Sequence, residues 1–349
     1  MNKIRRESAR FFKGLAVSSG SLCPIFLLKA ACRNWNRVMA SFVSLTEREK
    51  AFRAPVIPGS EVLSCSYKAG FSEFLHPSVI YSDQPGIRYL MAMTPLPDNV
   101  EYFENPELLV SDDGISWKLP RNGLSPVIAA PEDWCGYNSD PFIFYLGTEL
   151  SMLYRTVRET RCGNCVTIYL TSSSDLSHWS CPEAVLSEPS AGKYPIVFMS
   201  PAALRTEEGF LLWHITGRRE QPSIIRVKGP ELTKLEYPGE SCRLPADLCP
   251  WHLEILKEPG SERLIMTLCA FRADSFSSKF ITFLTSEDMG RSWTAGGRSL
   301  LPEELGVKSL YKASLLPAKE TSGYYLYYSA QNRDDSWHSY RLTLPSIYS

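Results

Sequence analysis

Long apolar runs and helix-favouring stretches are scarce in this 349-residue sequence. Near the N-terminus, Ser18–Ser21 and Lys29 interrupt or end the apolar segments, which are too short and broken for a membrane span and make a poor signal peptide. We therefore expect no membrane association. A cleaved or membrane-touching leader within residues 1–40, and a natural start at Met39, stay open as alternatives.

A regular cysteine framework is also missing, although the chain has ten cysteines. Only Cys162 and Cys165 stand at a suggestive interval, and neither a second pair nor histidines follow at the spacing that a zinc site needs. We interpret them as loop cysteines and the thiols as mostly reduced, which predicts a cytoplasmic protein. No cofactor is predicted.

An excess of positive charge is absent outside the N-terminus. The formal net charge is -1, but residues 1–38 carry eight Lys or Arg and one acid, Glu7. That segment is therefore at +7, which leaves -8 for the remainder and excludes a nucleic-acid-binding body. We expect a basic extension, loose or helical, over residues 1–45 and one domain over residues 46–349.

Aromatic, proline and glycine residues are plentiful. The sequence is 44% hydrophobic and 12% aromatic, with 25 Pro and 21 Gly scattered among short apolar runs. This length and composition can bury a large core. Short apolar runs between turn residues predict an all-β protein.

One apolar run recurs five times, about every 50 to 65 residues, which is the scale of a four-stranded blade. The five copies predict inner strands near residues 76–81, 139–145, 200–204, 251–255 and 310–315. A second apolar strand follows each copy, as in an antiparallel meander. The sequence therefore predicts a five-bladed β-propeller of four-stranded antiparallel blades.

A turn motif closes most of the repeats. Ser286–Trp293 has the spacing S-x-D-x-G-x-x-W, Ser111–Trp117 is one residue shorter, and Ser174–Trp179 is a looser version of this Asp-box-like turn. Aspartate accepts backbone N–H groups in such turns and glycine supplies a positive φ. We interpret these acids as structural.

Six short motifs occur in a fixed order along the repeats. They are His76-Pro77-Ser78-Val79, Glu104-Asn105-Pro106, Asn138-Ser139-Asp140-Pro141, Ser200-Pro201, Trp251-His252 and Leu310-Tyr311-Lys312. With them, residues 60 to 345 resemble the five-bladed β-propeller glycosidase superfamily of arabinanases, β-xylosidases, invertases and levansucrases, and its mannoside-phosphorylase relatives. The resemblance is closest to a poorly characterised bacterial branch.

The resemblance implies a pocket at the propeller axis, lined by the leading ends of the inner strands. It places five positions there: His76, Asp140, Ser200, His252 with Glu254, and Tyr311 with Lys312. The glycosidases of this group typically carry an Asp, an Asp and a Glu on the first three blades. This chain keeps Asp140 and has His76 and Ser200 at the other two positions.

Glycosidic cleavage usually needs an acid and a base or nucleophile across the ring. The catalytic candidates are Asp140 and Glu254, with His76 as a proton carrier. Substrate-binding candidates are Glu104, Asn105, Arg155, Ser200, Trp251, His252, Tyr311 and Lys312. Two histidines and an aspartate also fit a metal site, but they come from different blades and their separations cannot be read from a sequence, so no metal is predicted.

These residues predict a carbohydrate-active protein that acts on a carbohydrate or glycoconjugate, as a glycoside hydrolase-like or phosphorylase-like enzyme. In a phosphorylase, Lys312 and Arg155 would contact phosphate. The alternative is an inactive glycan-binding or scaffold propeller, which the two missing carboxylates favour. A six-bladed sialidase-type propeller ranks lower, because its three-arginine pocket cannot be assembled from this chain. The sugar, the linkage and the oligomeric state are left open.

Overall fold

The structure is a computed structural model that describes residues 56–66, 73–133, 135–160, 163–191, 196–218, 220–272 and 275–348. The predicted basic extension, Met39 and Cys162 lie outside these residues. Within them the only helical elements are two 3-10 turns, Pro97–Asn99 and Glu101–Phe103. No helix among the described residues is long and apolar enough to cross a membrane.

The described residues form twenty-one strands. In chain order they are β1 (Ser60–Val62), β2 (Ser64–Ser66), β3 (Phe74–Tyr81), β4 (Tyr89–Pro95), β5 (Glu107–Ser111), β6 (Ser116–Lys118), β7 (Gly136–Leu146), β8 (Glu149–Thr160), β9 (Gly163–Ser173), β10 (Glu183–Ala191), β11 (Ile196–Thr206), β12 (Gly209–Arg218), β13 (Gln221–Gly229), β14 (Glu240–Ser241), β15 (Cys249–Lys257), β16 (Leu264–Arg272), β17 (Ser275–Ser286), β18 (Thr294–Ala295), β19 (Ser309–Pro317), β20 (Tyr324–Gln331) and β21 (Trp337–Leu344).

The strands form five sheets, one for each predicted blade. Blades 2, 3 and 4 are the consecutive antiparallel sets β7 to β10, β11 to β14 and β15 to β18. Blade 1 holds β3 to β6, and blade 5 holds β19 to β21 with β1 at its outer edge. The predicted all-β, five-bladed β-propeller is confirmed. It differs in one respect: blade 1 has a fifth strand, β2, which pairs in parallel with β6.

The hydrophobic core lies between neighbouring blades. The largest cluster joins blades 2, 3 and 4, and smaller clusters join blade 1 to blade 2 and blade 5 to its two neighbours. Alternating side chains on each strand face opposite sides of a sheet. Each blade therefore buries apolar residues on both faces, and this packing sets the positions of the inner strands around the axis.

All five inner strands lose their pairing register at or next to the residue that the sequence places in the pocket. The interruptions fall between Leu75 and Ser78, Ser139 and Phe142, Met199 and Ala202, Pro250 and His252, and Leu310 and Ala313. In blade 4 the unpaired residue is Trp251, and His252 beside it pairs with Cys269. Such bulges re-aim a side chain out of the ordinary alternation and are frequent beside active sites.

In the first three blades the bulged residue has a left-handed backbone. The φ angles are 57° at His76, 55° at Asp140 and 49° at Ser200, and each of these residues precedes a proline. A positive φ is uncommon for residues other than glycine and is tolerated where the surrounding structure enforces it. The repeated X-Pro dipeptide is therefore the local signal for a strained bulge that faces the axis.

The turns that close the blades are held by their aspartates. In the last of them, Asp288 accepts the backbone N–H groups of Arg291 and Ser292, at 3.0 and 2.9 Å, and Gly290 has a φ of 77°. The Trp293 indole packs beneath the turn and donates to the Gly290 carbonyl at 3.1 Å. These acids lie in the turns that lead to the outer strands, away from the inner strands.

A short segment closes the ring. β1 pairs with β21 of the last blade from Ser60 opposite Leu342 to Val62 opposite Tyr340. The next strand, β2, pairs with β6 of the first blade from Ser64 opposite Ser116. Residues 60–66 therefore join the first and last blades through backbone hydrogen bonds.

Candidate functional site

Two histidines and an aspartate from three blades meet at the axis. Asp140 of β7 lies between His76 of β3 and His252 of β15, with its Oδ1 3.4 Å from His76 Nε2 and 3.1 Å from His252 Nδ1. All three residues are 1–2% exposed. The structure thus brings together, from positions 176 residues apart in the chain, the groups that the repeat pattern placed in one pocket.

Two hydroxyl groups orient the histidine rings. Thr94 Oγ1 of β4 lies 2.7 Å from His76 Nδ1, which turns the other ring nitrogen toward Asp140. Ser200 Oγ of β11 lies 2.7 Å from His252 Nδ1. A hydrogen bond at one ring nitrogen fixes the orientation of the imidazole and therefore the position of the other nitrogen.

Burial and mutual charge set the protonation of this cluster. Burial lowers the pKa of His76 well below its usual range, against the charge of Asp140, and lowers that of His252 as well. Burial alone would raise the pKa of Asp140, but His76, His252 and Arg155 outweigh it and hold that pKa well below its ordinary value. Burial therefore favours uncharged imidazoles, whereas charged imidazoles would favour the ionised Asp140 carboxylate, so the three groups titrate together.

Two cations flank the carboxylate. Arg155 of β8 places Nη1 3.9 Å from Asp140 Oδ2 and donates from Nε to the Val197 carbonyl at 2.9 Å. Lys312 of β19 is fully buried and donates from Nζ to the Pro141 carbonyl at 2.6 Å. Burial lowers the pKa of Lys312, while Glu254 and Asp140 oppose this shift. Lys312 therefore ties blade 5 to the bulge that carries Asp140.

The carboxyl group of Glu254 lies in a second polar layer. Its side chain is 8% exposed and accepts a hydrogen bond from Ser314, whose hydroxyl also accepts the Val79 N–H at 2.9 Å. Burial raises the pKa of Glu254 to about 7, against the opposing effect of Lys312. Glu254 and His252 share one face of β15, as the period of two predicts, and Ser314 holds the carboxyl group in place.

Aromatic side chains form one wall of the site, on blades 4 and 5. The Tyr311 ring centroid is 4.4 Å from that of His252 and 5.3 Å from that of His76. The half-buried Trp251 ring meets Phe276 edge-on at 5.0 Å. Rings of this kind offer faces on which sugars can stack.

Glu104 lies within blade 1, in the connection between β4 and β5, and is 9% exposed. Its neighbour Asn105 is buried in an amide network. Asn105 donates to the Tyr102 carbonyl at 2.8 Å and accepts from Asn138 at 3.0 Å, and Asn138 accepts from Thr156 at 2.7 Å. This amide network fastens the connection to blade 2, so Asn105 positions its neighbours.

The cluster of His76, Asp140 and His252 has the composition of a metal site. Each residue offers one ligand atom, and these atoms lie within 4.8 Å of one another. Among the described residues, His252 Nε2 is buried without a hydrogen-bond partner. Buried polar atoms normally have partners, and two imidazoles with one carboxylate suit a divalent transition metal. These donors therefore fit a cation.

Three residues near the site were not predicted from the sequence. Thr94 lies on the second strand of blade 1, Tyr137 is the second residue of β7, and the mostly buried Lys279 lies on β17 with Nζ 4.3 Å from the Phe276 ring centroid. None of them belongs to a repeated motif. The strand register could have indicated Thr94, because it pairs with Leu75 beside the first bulge.

Comparisons with known proteins bear on the fold and on the chemistry. No family model matches the sequence. The chain is 28% identical over 111 residues to an A type blood N-acetyl-α-D-galactosamine deacetylase of Flavonifractor plautii, a match that covers 31% of this chain and 14% of that protein.

Solved structures match over most of the chain. An N-acetylgalactosamine deacetylase from F. plautii, in complex with blood group B trisaccharide, has a TM-score of 0.69 and 17% identity over 82% of this chain and 94% of that chain. The native arabinanase of Bacillus subtilis has a TM-score of 0.51 and 12% identity, over 82% of this chain and 97% of that chain. The chain has the fold of the five-bladed β-propeller glycosidases. Below 25% identity, this similarity establishes the fold alone.

Proposed function

We propose that this chain is a carbohydrate-active hydrolase that removes an acyl group from an acylated amino sugar, at a site centred on His76, Asp140 and His252. The observation that carries the proposal is the buried His–Asp–His cluster at the axis, where three ligand atoms lie within 4.8 Å of one another. The comparisons support a carbohydrate-active propeller, and the deacetylase of F. plautii is the curated relative with a sequence match.

The cluster suits hydrolysis of an acyl group better than cleavage of a glycosidic bond. Glycosidases rely on two carboxyl groups that stand free on either side of the sugar. Here Asp140 lies between two histidines, and the Glu254 carboxyl group is held by Ser314 in the second layer. Acyl hydrolysis needs only one activated water and a polarised carbonyl group.

A divalent cation would be held by His76, Asp140 and His252, and when bound it would act as a Lewis acid on the acyl carbonyl group. The protein's own residues then have separate tasks. Thr94 and Ser200 orient the two imidazoles, and Arg155 braces the Asp140 carboxylate. Tyr311 and Trp251 provide the apolar wall for the sugar.

Glycosidic hydrolysis is the second candidate, because glycoside hydrolases share the fold and Glu254 remains a buried carboxyl group with a pKa raised to about 7. In that reaction Asp140 and Glu254 would be the carboxyl pair, as the sequence analysis predicts. The two candidates differ in their products: free acetate and an amine in one, and a new reducing end in the other.

The test is incubation of the protein with N-acetylated mono- and oligosaccharides, with and without added Mn²⁺ or Zn²⁺. We expect acetate release that EDTA abolishes and that Asp140→Asn lowers by at least 10²-fold. Release of a reducing sugar without acetate would instead support glycosidic hydrolysis. Glycan binding without either product would contradict both and support the inactive propeller that the sequence analysis left open.

A further inference from the structure

Tyr311, on the aromatic wall of the proposed site, lies where strand pairing is interrupted. It belongs to the bulge of β19, between Leu310 and Ala313, where the register with β20 is lost. Its ring is half-buried and contacts both imidazoles of the cluster, with its centroid 4.4 Å from that of His252 and 5.3 Å from that of His76. Because a bulge re-aims its side chains, the direction of the Tyr311 ring depends on the side chains packed against it.

Trp337 is a further aromatic neighbour of Tyr311. It begins β21, is 7% exposed, and its ring centroid lies 5.2 Å from that of Tyr311 at an interplanar angle of 62°. With Leu75 and Leu96, Trp337 forms a small apolar cluster against which Tyr311 packs. The two histidine rings meet the phenol ring at 58° and 49°. All three neighbouring rings are thus tilted, and none of the three stacks flat on a face of Tyr311.

Two hydrogen bonds to blade 1 hold Trp337 itself. The indole Nε1 donates to Asn99 Oδ1 at 2.7 Å, and the Trp337 backbone N–H donates to Glu73 Oε1 at 2.9 Å. Both acceptors are anchored at Leu96, whose N–H donates to the Glu73 carbonyl at 3.0 Å and whose carbonyl accepts the Asn99 N–H at 3.2 Å. The indole of a blade 5 residue therefore lies in a fixed orientation across the junction with blade 1.

We propose that Trp337 is a positioning residue for the sugar-binding wall. Held by Asn99 and Glu73, it sets the direction of the Tyr311 ring, and it acts on the sugar through that ring. This inference rests on the proposed acyl hydrolysis and extends it to the way in which the site holds its substrate. A buried indole N–H normally has an acceptor, and here that acceptor also fixes the angle at which the indole meets Tyr311.

The test is a double-mutant cycle with methyl 2-acetamido-2-deoxy-α-D-galactopyranoside in the presence of Mn²⁺. Binding is measured by NMR titration, and kcat and KM are measured from acetate release. We expect Trp337→Leu and Tyr311→Ala each to raise Kd and KM by about 3- to 10-fold, with kcat within about twofold of the wild type. In the Tyr311→Ala background, Trp337→Leu should add less than about twofold, because the ring that it positions is already gone.

Milder variants isolate the hydrogen bond to Asn99 and keep the test decisive if Trp337→Leu folds poorly. Asn99 has a φ of 59°, which glycine adopts without strain, so Asn99→Gly removes the acceptor and keeps the backbone conformation. Asn99→Asp retains a side-chain oxygen that accepts from the indole. We expect Asn99→Gly to raise Kd for the glycoside by about 2- to 5-fold and Asn99→Asp to stay within about twofold of the wild type.

Two controls separate positioning from a loss of stability. Trp117→Leu removes another buried indole, 2% exposed, which meets Tyr89 at the end of β4 away from Thr94. This variant should lower the free energy of unfolding and leave Kd and KM for the glycoside unchanged. The Kd for Mn²⁺ should be unchanged in Trp337→Leu, because Thr94 and Ser200 orient the imidazoles from other strands.

The outcomes separate the two proposals. Binding of the glycoside without acetate release refutes the proposed function, while the cycle on Kd still decides the role of Trp337. Losses that multiply in the double variant overturn the positioning role, because effects on independent sites add in free energy. A loss confined to kcat, or weaker Mn²⁺ binding in Trp337→Leu, overturns it as well. A wild-type protein that neither binds nor cleaves the glycoside refutes both proposals.

Discussion

His214 predicts a specific dependence of stability on pH. This residue of β12 is fully buried, and among the described residues neither of its ring nitrogens has a hydrogen-bond partner. Its ring meets the Phe198 ring edge-on, with the ring centroids 5.0 Å apart. Phe198 precedes Ser200 by two residues on β11. Burial lowers its pKa from 6.5 to about 3 in the folded protein. A charged imidazole at this position is therefore incompatible with the fold.

The sign and size follow from that shift. Because the folded pKa lies below the unfolded one, the contribution to stability is present above pH 6.5 and is lost as the pH falls toward 3. At pH 5 the unfolded histidine is 1.5 units below its pKa of 6.5, and a unit corresponds to about 1.4 kcal/mol. His214 should thus lower the free energy of unfolding by about 2 kcal/mol between pH 8 and pH 5.

The measurement is denaturant unfolding of the wild type and His214→Leu at both pH values. We expect the variant to lose about 2 kcal/mol less than the wild type on acidification, because leucine cannot be protonated. Ile215→Leu, at the adjacent buried position, is the matched control for altered packing and should keep the wild-type dependence. Equal pH dependence of the wild type and His214→Leu would refute the reasoning.

Two further predictions concern the cation site and a buried acid. Mn²⁺ or Zn²⁺ at 100 times its Kd should stabilise the wild type against thermal unfolding by about 2.7 kcal/mol, and it should not stabilise Asp140→Asn. The control variant His178→Ala, which removes the exposed His178–Asp175 pair, should be stabilised like the wild type. A rise of similar size in Asp140→Asn would place the cation elsewhere. Burial raises the pKa of Glu107 from 4.5 to about 8, so its contribution to stability is lost as the pH rises through that range. The free energy of unfolding of Glu107→Gln should therefore rise by about 3 kcal/mol relative to that of the wild type between pH 5 and pH 8. If the difference between the two proteins is the same at both pH values, the shift in the Glu107 pKa is contradicted.

The fold could be predicted because its signal is repeated. Five apolar runs at similar intervals locate the inner strands, and the structure has strands at each of them. The parallel strand β2 could not be predicted in this way. It consists of Ser64, Cys65 and Ser66, which have no strand pattern, and it forms because the chain must pass beside β6 on its way from blade 5 to blade 1.

The candidate site could be predicted only in part. The position of Asp140 in the repeat, together with the cost of burying an aspartate, indicates a functional group, and the structure surrounds it with His76, His252 and Arg155. The sequence does not contain the distances between blades, because they depend on how five sheets pack around one axis. For the same reason the metal-binding composition becomes visible only when the three ligand atoms are seen within 4.8 Å.

Ring closure by residues 60–66 also affects when the site can exist during synthesis. The ribosome makes β1 and β2 before the rest of the propeller, yet β1 has to wait for β21, the last strand, to find its partner. Lys312 of the last blade likewise reaches the bulge of Asp140 only after nearly the whole chain has emerged. A nascent chain that has not yet reached β19 to β21 therefore has an open circle of blades and lacks the Lys312 contact to the Asp140 bulge.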